Sequence, residues 1–148
     1  MSGNRRPEEV AIVVRRPRAE GGSEYLVLLR SLEKLGYWHL VAGGVEWEEE
    51  PAAAAARELR EETGLEAEPE PLGGALSYSL AEDPESVRRR FPAGTERITV
   101  WPFAAEAPEG WEPVLDYEHV EARWLDAHAA IALLRYPEPR EAVRRAAS

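Results

Sequence analysis

The chain contains no cysteine. That removes disulfides, thiolate metal sites and a cysteine nucleophile together. Lysine is nearly absent as well, Lys34 being the only one, so arginine carries almost all the positive charge. Positive charge is itself outnumbered, with 18 Lys plus Arg against 28 Asp plus Glu and a formal net charge of -10. Such a field repels a polyphosphate backbone, which sets a nucleic-acid polymer aside as partner and leaves a small anion that needs a cation or a local arginine cluster to screen the acid. No uninterrupted apolar run approaches about 18 residues, and the leading Met1-Ser-Gly-Asn-Arg-Arg-Pro is not followed by a signal-peptide core of about 7–15 apolar residues. The expectation is a cytoplasmic protein without a membrane partner. Two further absences narrow the chemistry: there is no Gly-x-Ser-x-Gly nucleophile elbow, and Gly21-Gly22 lacks the Gly-Lys-Ser/Thr context of a phosphate-cradling loop. What remains is chemistry by carboxylates, histidines and hydroxyls.

With 148 residues, 44% of them hydrophobic, the chain has apolar surface for one core, and residues 1–148 are expected to form a single domain. The β-branched run Val10 to Val14 and the segment Tyr25 to Leu29 read as strands flanking the turn-prone Glu20-Gly21-Gly22-Ser23. A short strand from Trp38 to Val41 leads into Gly43-Gly44. Pro51 suits the first turn of a helix, Ala52 to Glu62 are strong helix formers, and Gly64 supplies the stop. Leu72 to Leu80, Ile98 to Ala105 and Val120 to Leu125 are further strand predictions. A polar arginine-bearing connection, Ala81 to Glu96, reads as a substrate-covering loop. Two closing helices, Ala127 to Leu134 and Arg140 to Ala147, are predicted to be interrupted by Pro137 and Pro139. Strands and helices at irregular spacing favour an α+β fold, a mixed sheet between helices.

Glu58, Glu61 and Glu62 stand at i, i+3 and i+4, on one face of the predicted helix. Like charges so spaced repel, and a bound divalent cation is the natural compensation. Leu59, with Ala52, Ala55 and Ala56, is the expected buried face. Charge alone also fits a solvated, glutamate-rich surface helix laced with Arg57 and Arg60. The longer spacing decides between them. From Gly43 the chain reads Gly, five residues, Glu49, seven residues, Arg57-Glu58-Leu59, one residue, Glu61-Glu62, one residue, Gly64-Leu65.

That pattern matches every fixed position of the Nudix box, and the chain resembles the Nudix hydrolases. The resemblance implies an α/β/α sandwich with one catalytic acidic helix, and a hydrolase that splits a phosphoanhydride bond by attack of water on phosphorus. It implies a magnesium cofactor, with manganese as a substitute, held by Glu58 and Glu62 and by a main-chain carbonyl, that of Ala42, brought in by a bend at Gly43-Gly44. Glu61 matches a position that binds a further metal or orients and deprotonates water. Arg57 is suited to pair with Glu49 and tie the loop to the helix. Glu48 departs from the pattern, since many relatives have glycine there.

A further carboxylate usually comes from outside the box. The segment Asp116 to Ala127 resembles the Glu-His pair and aromatic-Leu-Asp-Ala element of the dihydroneopterin triphosphate pyrophosphatases, which assigns a metal-binding and catalytic role to Glu118. His119 is then either a substrate neighbour or a structural histidine. Arg30, at a strand end, suits a phosphate. Arg97, with Arg88, Arg89 and Arg90, offers either a positive patch for the substrate or solvated loop charge. The implied substrate is a small phosphorylated metabolite, a pterin or nucleoside triphosphate or a nucleoside-diphosphate-linked compound. Dinucleoside polyphosphates, or a non-catalytic nucleotide-sensing module, are the alternatives, and a homodimer is left open.

Overall fold

A computed structural model describes residues 3–148. Strand β1 (Glu8–Pro17) is the axis of the molecule. Its burial follows from its sequence: Val10, Ile12 and Val14 point to one face of the sheet and Ala11 and Val13 to the other, and all five are 3% exposed or less. A strand apolar on both sides needs cover on both sides. On one edge β1 pairs in parallel with β7 (Arg97–Glu106) along Glu8 to Arg15. Its other edge is shared. Residues Glu9 to Ile12 pair antiparallel with β4 (Val41–Gly44), and Arg15 to Pro17 pair antiparallel with β2 (Ser23–Arg30). A wedge therefore opens between β4 and β2.

Short β3 (Trp38–His39) and β8 (His119–Leu125) both pair with β2, while β5 (Glu70–Pro71) and β6 (Leu76–Ser79) both pair with β7. The strand expected from Leu72 to Leu80 is shorter than that: only Leu76–Ser79 is strand, β5 ends at Pro71 before it, and a turn at Gly73-Gly74, where Gly73 has a φ of 77°, separates the two. Helix α1 (Pro51–Thr63) covers one face, and α3 (Ala127–Leu133) and α4 (Pro137–Ala147) cover the other. The α/β/α sandwich with a mixed sheet is what the sequence led us to expect. The connection 81–96 carries one turn of helix, α2 (Glu85–Arg88).

Two local expectations need correction. Pro137 and Pro139 begin α4 rather than interrupt a helix, because a first turn has no use for their missing N–H groups. The buried face of α1 is Ala54, Ala55 and Leu59 with Glu62 and Thr63, and Ala52 is exposed. The small alanines let the helix axis sit close to β1, and Leu59 supplies the one large apolar group, its burial contributing about 2 kcal/mol. Among the described residues, no helix is long and apolar enough to cross a membrane.

Candidate active site

The floor of the site follows from strand register. Val45 donates its N–H to the carbonyl of Glu8, so in the antiparallel ladder Gly43 and Val41 turn their polar groups toward β1, while Ala42 and Gly44 turn theirs away from it. Both outward-facing residues are used by α1. The N–H of Ala42 donates to Glu62 Oε1 at 3.3 Å, and the carbonyl of Gly44 accepts from Arg57 Nη2 at 2.9 Å. Ala42 thereby presents its carbonyl on the side where Glu62 lies.

Gly43 is not a bend. It continues β4 without a positive φ, and the reason for glycine there is room: a Cβ at this position would fall 2.2 Å from the Glu58 carboxyl carbon. Glu58 lies directly on the bare backbone. Arg57 fixes it there. Its Nε and Nη2 donate to the two oxygens of Glu49 at 3.0 and 2.9 Å, and its Nη1 donates to Glu58 Oε1 at 2.8 Å. The loop is closed by Glu49 Oε1, which accepts from the N–H of Glu46 at 3.0 Å, and by Arg6, which donates to the carbonyl of Glu49 at 2.8 Å. These bonds hold the Glu49 carboxyl below the usual carboxylate range, with Arg57 as the main cause.

Glu62 is 5% exposed. Burial, and then the neighbouring Glu58 carboxylate, push its pKa up to about 10. Glu58 is raised too, chiefly by burial. Two carboxyl groups one helical turn apart, Glu62 buried and Glu58 partly so, form a hard-oxygen donor pair whose repulsion a divalent cation would relieve. Those residues fit such an ion. The third proposed donor is not yet beside them: Glu118 lies on the opposite wall, 3.9 Å from Lys34 Nζ. Among the described residues, no three acidic or histidine side chains are already gathered as a metal cage. Glu61 is exposed, 3.6 Å from Arg57 Nη1.

Glu62 also reaches across the wedge. His119 Nε2, at the start of β8, lies 3.9 Å from Glu62 Oε1. His119 is buried, and its Nδ1 donates to Asp116 Oδ1 at 2.8 Å, a turn that also takes the Glu118 N–H to the same oxygen. A cavity of about 20 Å³ between these groups is lined by Arg30, His39, Ala42, Glu62, Glu118 and His119. That is room for a water or a small ion. Arg30 follows a register break at Leu29, a device that re-aims a strand residue. Its Nη1 donates to Tyr37 Oη at 2.9 Å, while its buried Nε has no hydrogen-bond partner among the described residues. His39 donates from Nδ1 to the Leu40 carbonyl at 3.0 Å. Burial pulls its pKa down to about 4, so the ring is neutral at physiological pH.

Of the residues singled out from sequence, Arg97 does not line this cavity: its Nε and Nη2 lie 3.1 Å from Ser77 Oγ on β6. Glu48 is exposed with a φ of 70°. This left-handed backbone is the physical reason for glycine at that position in relatives. Three residues were missed. Arg6, His39 and Asp116 come from separate segments, and only Asp116, three residues before a histidine, carried a local signal.

The comparisons with known proteins agree with this geometry. The family model of the NUDIX domain matches residues 5–146. An octanoyltransferase of Myxococcus xanthus is 35% identical over 129 residues, 84% of this chain, but the chain spans only 33% of that protein's length. Dihydroneopterin triphosphate diphosphatase of Escherichia coli K12 is 30% identical over 141 residues, 94% of this chain and 91% of the relative. The structure of the E. coli dihydroneopterin triphosphate pyrophosphohydrolase superposes with a TM-score of 0.82 at 25% identity, covering 99% and 98% of the two chains. The chain belongs to the Nudix family of pyrophosphohydrolases.

Proposed function

We propose that this chain hydrolyses a phosphoanhydride bond in a pterin or nucleoside triphosphate, using magnesium, or manganese in its place, held by Glu58, Glu62, Glu118 and the Ala42 carbonyl. The observation that carries the reading is the Glu58–Glu62 pair seated on β4, Glu58 against Gly43 and the buried Glu62 on the Ala42 N–H. When bound, the ion supplies charge neutralisation on the anhydride and a lowered pKa for water. The protein's own residues do the rest. Arg57 keeps Glu49 ionised and holds Glu58 in place. Glu61, the exposed acid of the same helix face, accepts the proton from the attacking water as the new P–O bond forms. The unpartnered Nε of Arg30 offers a charged donor to a phosphate oxygen, as the anhydride oxygen leaves with the departing phosphate. His119, oriented by Asp116, supports Glu62 and contacts the substrate; Arg97 has at most a peripheral part in binding.

In this reading the partner is a small phosphorylated metabolite, consistent with the net charge of -10, and not a nucleic-acid polymer. The protein works in the cytoplasm, as one domain; a homodimer is compatible with the reading and plays no part in it. Dinucleoside polyphosphates are the alternative substrate class, and a sensing module without turnover is the alternative function. A panel of triphosphates, dinucleoside polyphosphates and nucleoside-diphosphate sugars, with products resolved by mass, tests it. Magnesium-dependent release of pyrophosphate or phosphate is expected, reduced about 10³-fold in Glu62→Gln. Folded, metal-loaded protein that cleaves nothing in the panel would sink the reading.

A further inference from the structure

The turn from β2 into β3 sets an arginine and a tyrosine opposite each other. Leu29 pairs with Trp38 in the antiparallel ladder, and the pairing continues one residue further, with the Arg30 N–H donating to the Tyr37 carbonyl at 3.0 Å. Residues opposed in this way carry their side chains on one face. Arg30 Nη1 donates to Tyr37 Oη at 2.9 Å, and the guanidinium carbon lies 5.4 Å from the centre of the tyrosine ring. That ring is itself fixed from other sides. His39, two residues on and so on the same face, packs edge-on with centroids 5.7 Å apart, and Tyr136, in the connection between α3 and α4, does so at 5.2 Å.

What Arg30 lacks is an acid. It lines the cavity with Glu62 and Glu118, yet among the described residues it forms an ion pair with neither. Glu118 faces Lys34 Nζ at 3.9 Å, and Glu62 accepts from the Ala42 N–H at 3.3 Å and faces His119 Nε2 at 3.9 Å. Other arginines of this acidic chain behave differently: Arg6, Arg15, Arg16 and Arg57 each pair with a carboxylate. A guanidinium carries several N–H donors, and the tyrosine hydroxyl that takes one of them is neutral, so the positive charge beside the cavity is not cancelled. The buried Nε is still without an acceptor among the described residues. An arginine free to rotate beside these acids would turn onto one of them, because a charge-assisted bond is about twice as strong as a neutral one. Such an internal pair would occupy the donors that a phosphate needs. The Tyr37 hydroxyl, on a ring wedged between Tyr136 and His39, opposes that rotation.

We infer that Tyr37 is a positioning residue: it tethers Arg30 through a neutral acceptor, so that the guanidinium stays open to a phosphate group of the substrate and does not close onto Glu62 or Glu118. This rests on the hydrolytic reading for the identity of the anion and goes beyond it in naming what holds the arginine ready. Tyr37→Phe keeps the ring and removes the hydroxyl. It is expected to raise KM about tenfold while kcat changes by less than about threefold. In an Arg30→Met background the same substitution should move KM by less than about twofold, since the group it positions is gone. Arg30→Gln is the second background should Arg30→Met not fold. An unchanged KM in Tyr37→Phe, a fall in kcat alone, or an equal effect in both backgrounds overturns the inference, the last being what a tyrosine needed only for the fold would give. If no substrate is cleaved, calorimetric titration with inorganic pyrophosphate and magnesium separates the two failures. Binding about tenfold weaker in Tyr37→Phe, with no such difference on the Arg30→Met background, keeps the inference while hydrolysis falls; equal binding by wild type and Tyr37→Phe, or none by wild type, overturns it.

Discussion

On the α1 wall of the cleft one arginine ties the acids to each other and to the backbone, whereas the opposite wall is assembled from separate segments that meet through single contacts. Arg57 makes four polar bonds, to Glu49, Glu58 and Gly44, within a stretch of chain running from residue 43 to residue 58. Across the wedge, Arg30, His39 and Glu118 come from β2, β3 and the turn before β8, and Glu118 rests 3.9 Å from a mobile type of side chain, Lys34. Under the proposed hydrolysis the first wall would serve the chemistry common to every substrate, and the second, built from single contacts, would fit the particular ligand.

The comparison breaks most severely at Gly43. A Gly43→Ala methyl would occupy the space of the Glu58 carboxyl group. Glu58 is flexible enough to move aside, so the loss of stability is modest, about 1–2 kcal/mol. Displacing an acid of the proposed metal site by an ångström is not modest, and turnover should fall about 10²-fold or more. Steady-state kinetics beside a thermal melt check both halves. Wild-type turnover in Gly43→Ala would mean that Glu58 is not needed where it lies.

Arg57→Lys comes next. Lysine cannot span both oxygens of Glu49 while reaching Gly44, so stability should drop by about 1–2 kcal/mol and activity by roughly 10–100-fold. The pH profile sharpens this. Glu49 is held below its ordinary value of 4.5 in the folded chain. Its contribution to stability is therefore complete above that value and is lost as pH falls through the folded pKa. In Arg57→Lys that acid-labile part shrinks, and denaturation midpoints measured from pH 6 down to pH 3 should converge on those of the wild type. Parallel curves would show that Arg57 does not set the Glu49 titration.

The same contrast explains what could be read from the sequence. The box is contiguous, and helical spacing alone puts Glu58 and Glu62 on one face, so that wall was legible before any coordinates. Runs of β-branched and apolar residues likewise pointed to β1, β2, β7 and β8. Gly43 was assigned to a bend because glycine signals turns more often than close approach, and only the position of Glu58 distinguishes the two. The turn at Gly73-Gly74, which delays the strand to Leu76, is masked in the sequence by the apolar Leu72 and Ala75 beside it. Arg6 and His39 reach the site through pairing between distant segments, a register that no local pattern carries. Arg97 seemed suited to a phosphate by type and position, yet β6 places a serine under it.

On the second wall, Glu118→Gln should act on binding more than on the fold. Its exposed pair with Lys34 contributes no more than about 0.5 kcal/mol, so the melting temperature should barely change. Removing one anionic ligand is expected to weaken the apparent affinity for magnesium about tenfold, with a smaller change at saturating metal. Titrating activity against magnesium measures this. An unchanged magnesium requirement would leave Glu58, Glu62 and the Ala42 carbonyl as the ligands and remove Glu118 from the set.

The smallest effect belongs to Glu48, which sits in the box loop yet contributes nothing to the first wall. Its φ of 70° is a conformation that glycine adopts freely and glutamate does not. Its side chain is exposed, away from the residues lining the cavity. Relief of left-handed strain favours Glu48→Gly in the folded state, while the added freedom of glycine in the unfolded chain offsets part of the gain. The net expectation is about 0.5 kcal/mol of added stability, a rise of roughly 1–2 °C in melting temperature. Because the carboxylate takes no part in holding Glu58 or Glu62, kcat and the magnesium titration should stay where they are. A shifted magnesium titration in Glu48→Gly would place this carboxylate in the metal site, and the first wall would then extend outward to the surface of the loop.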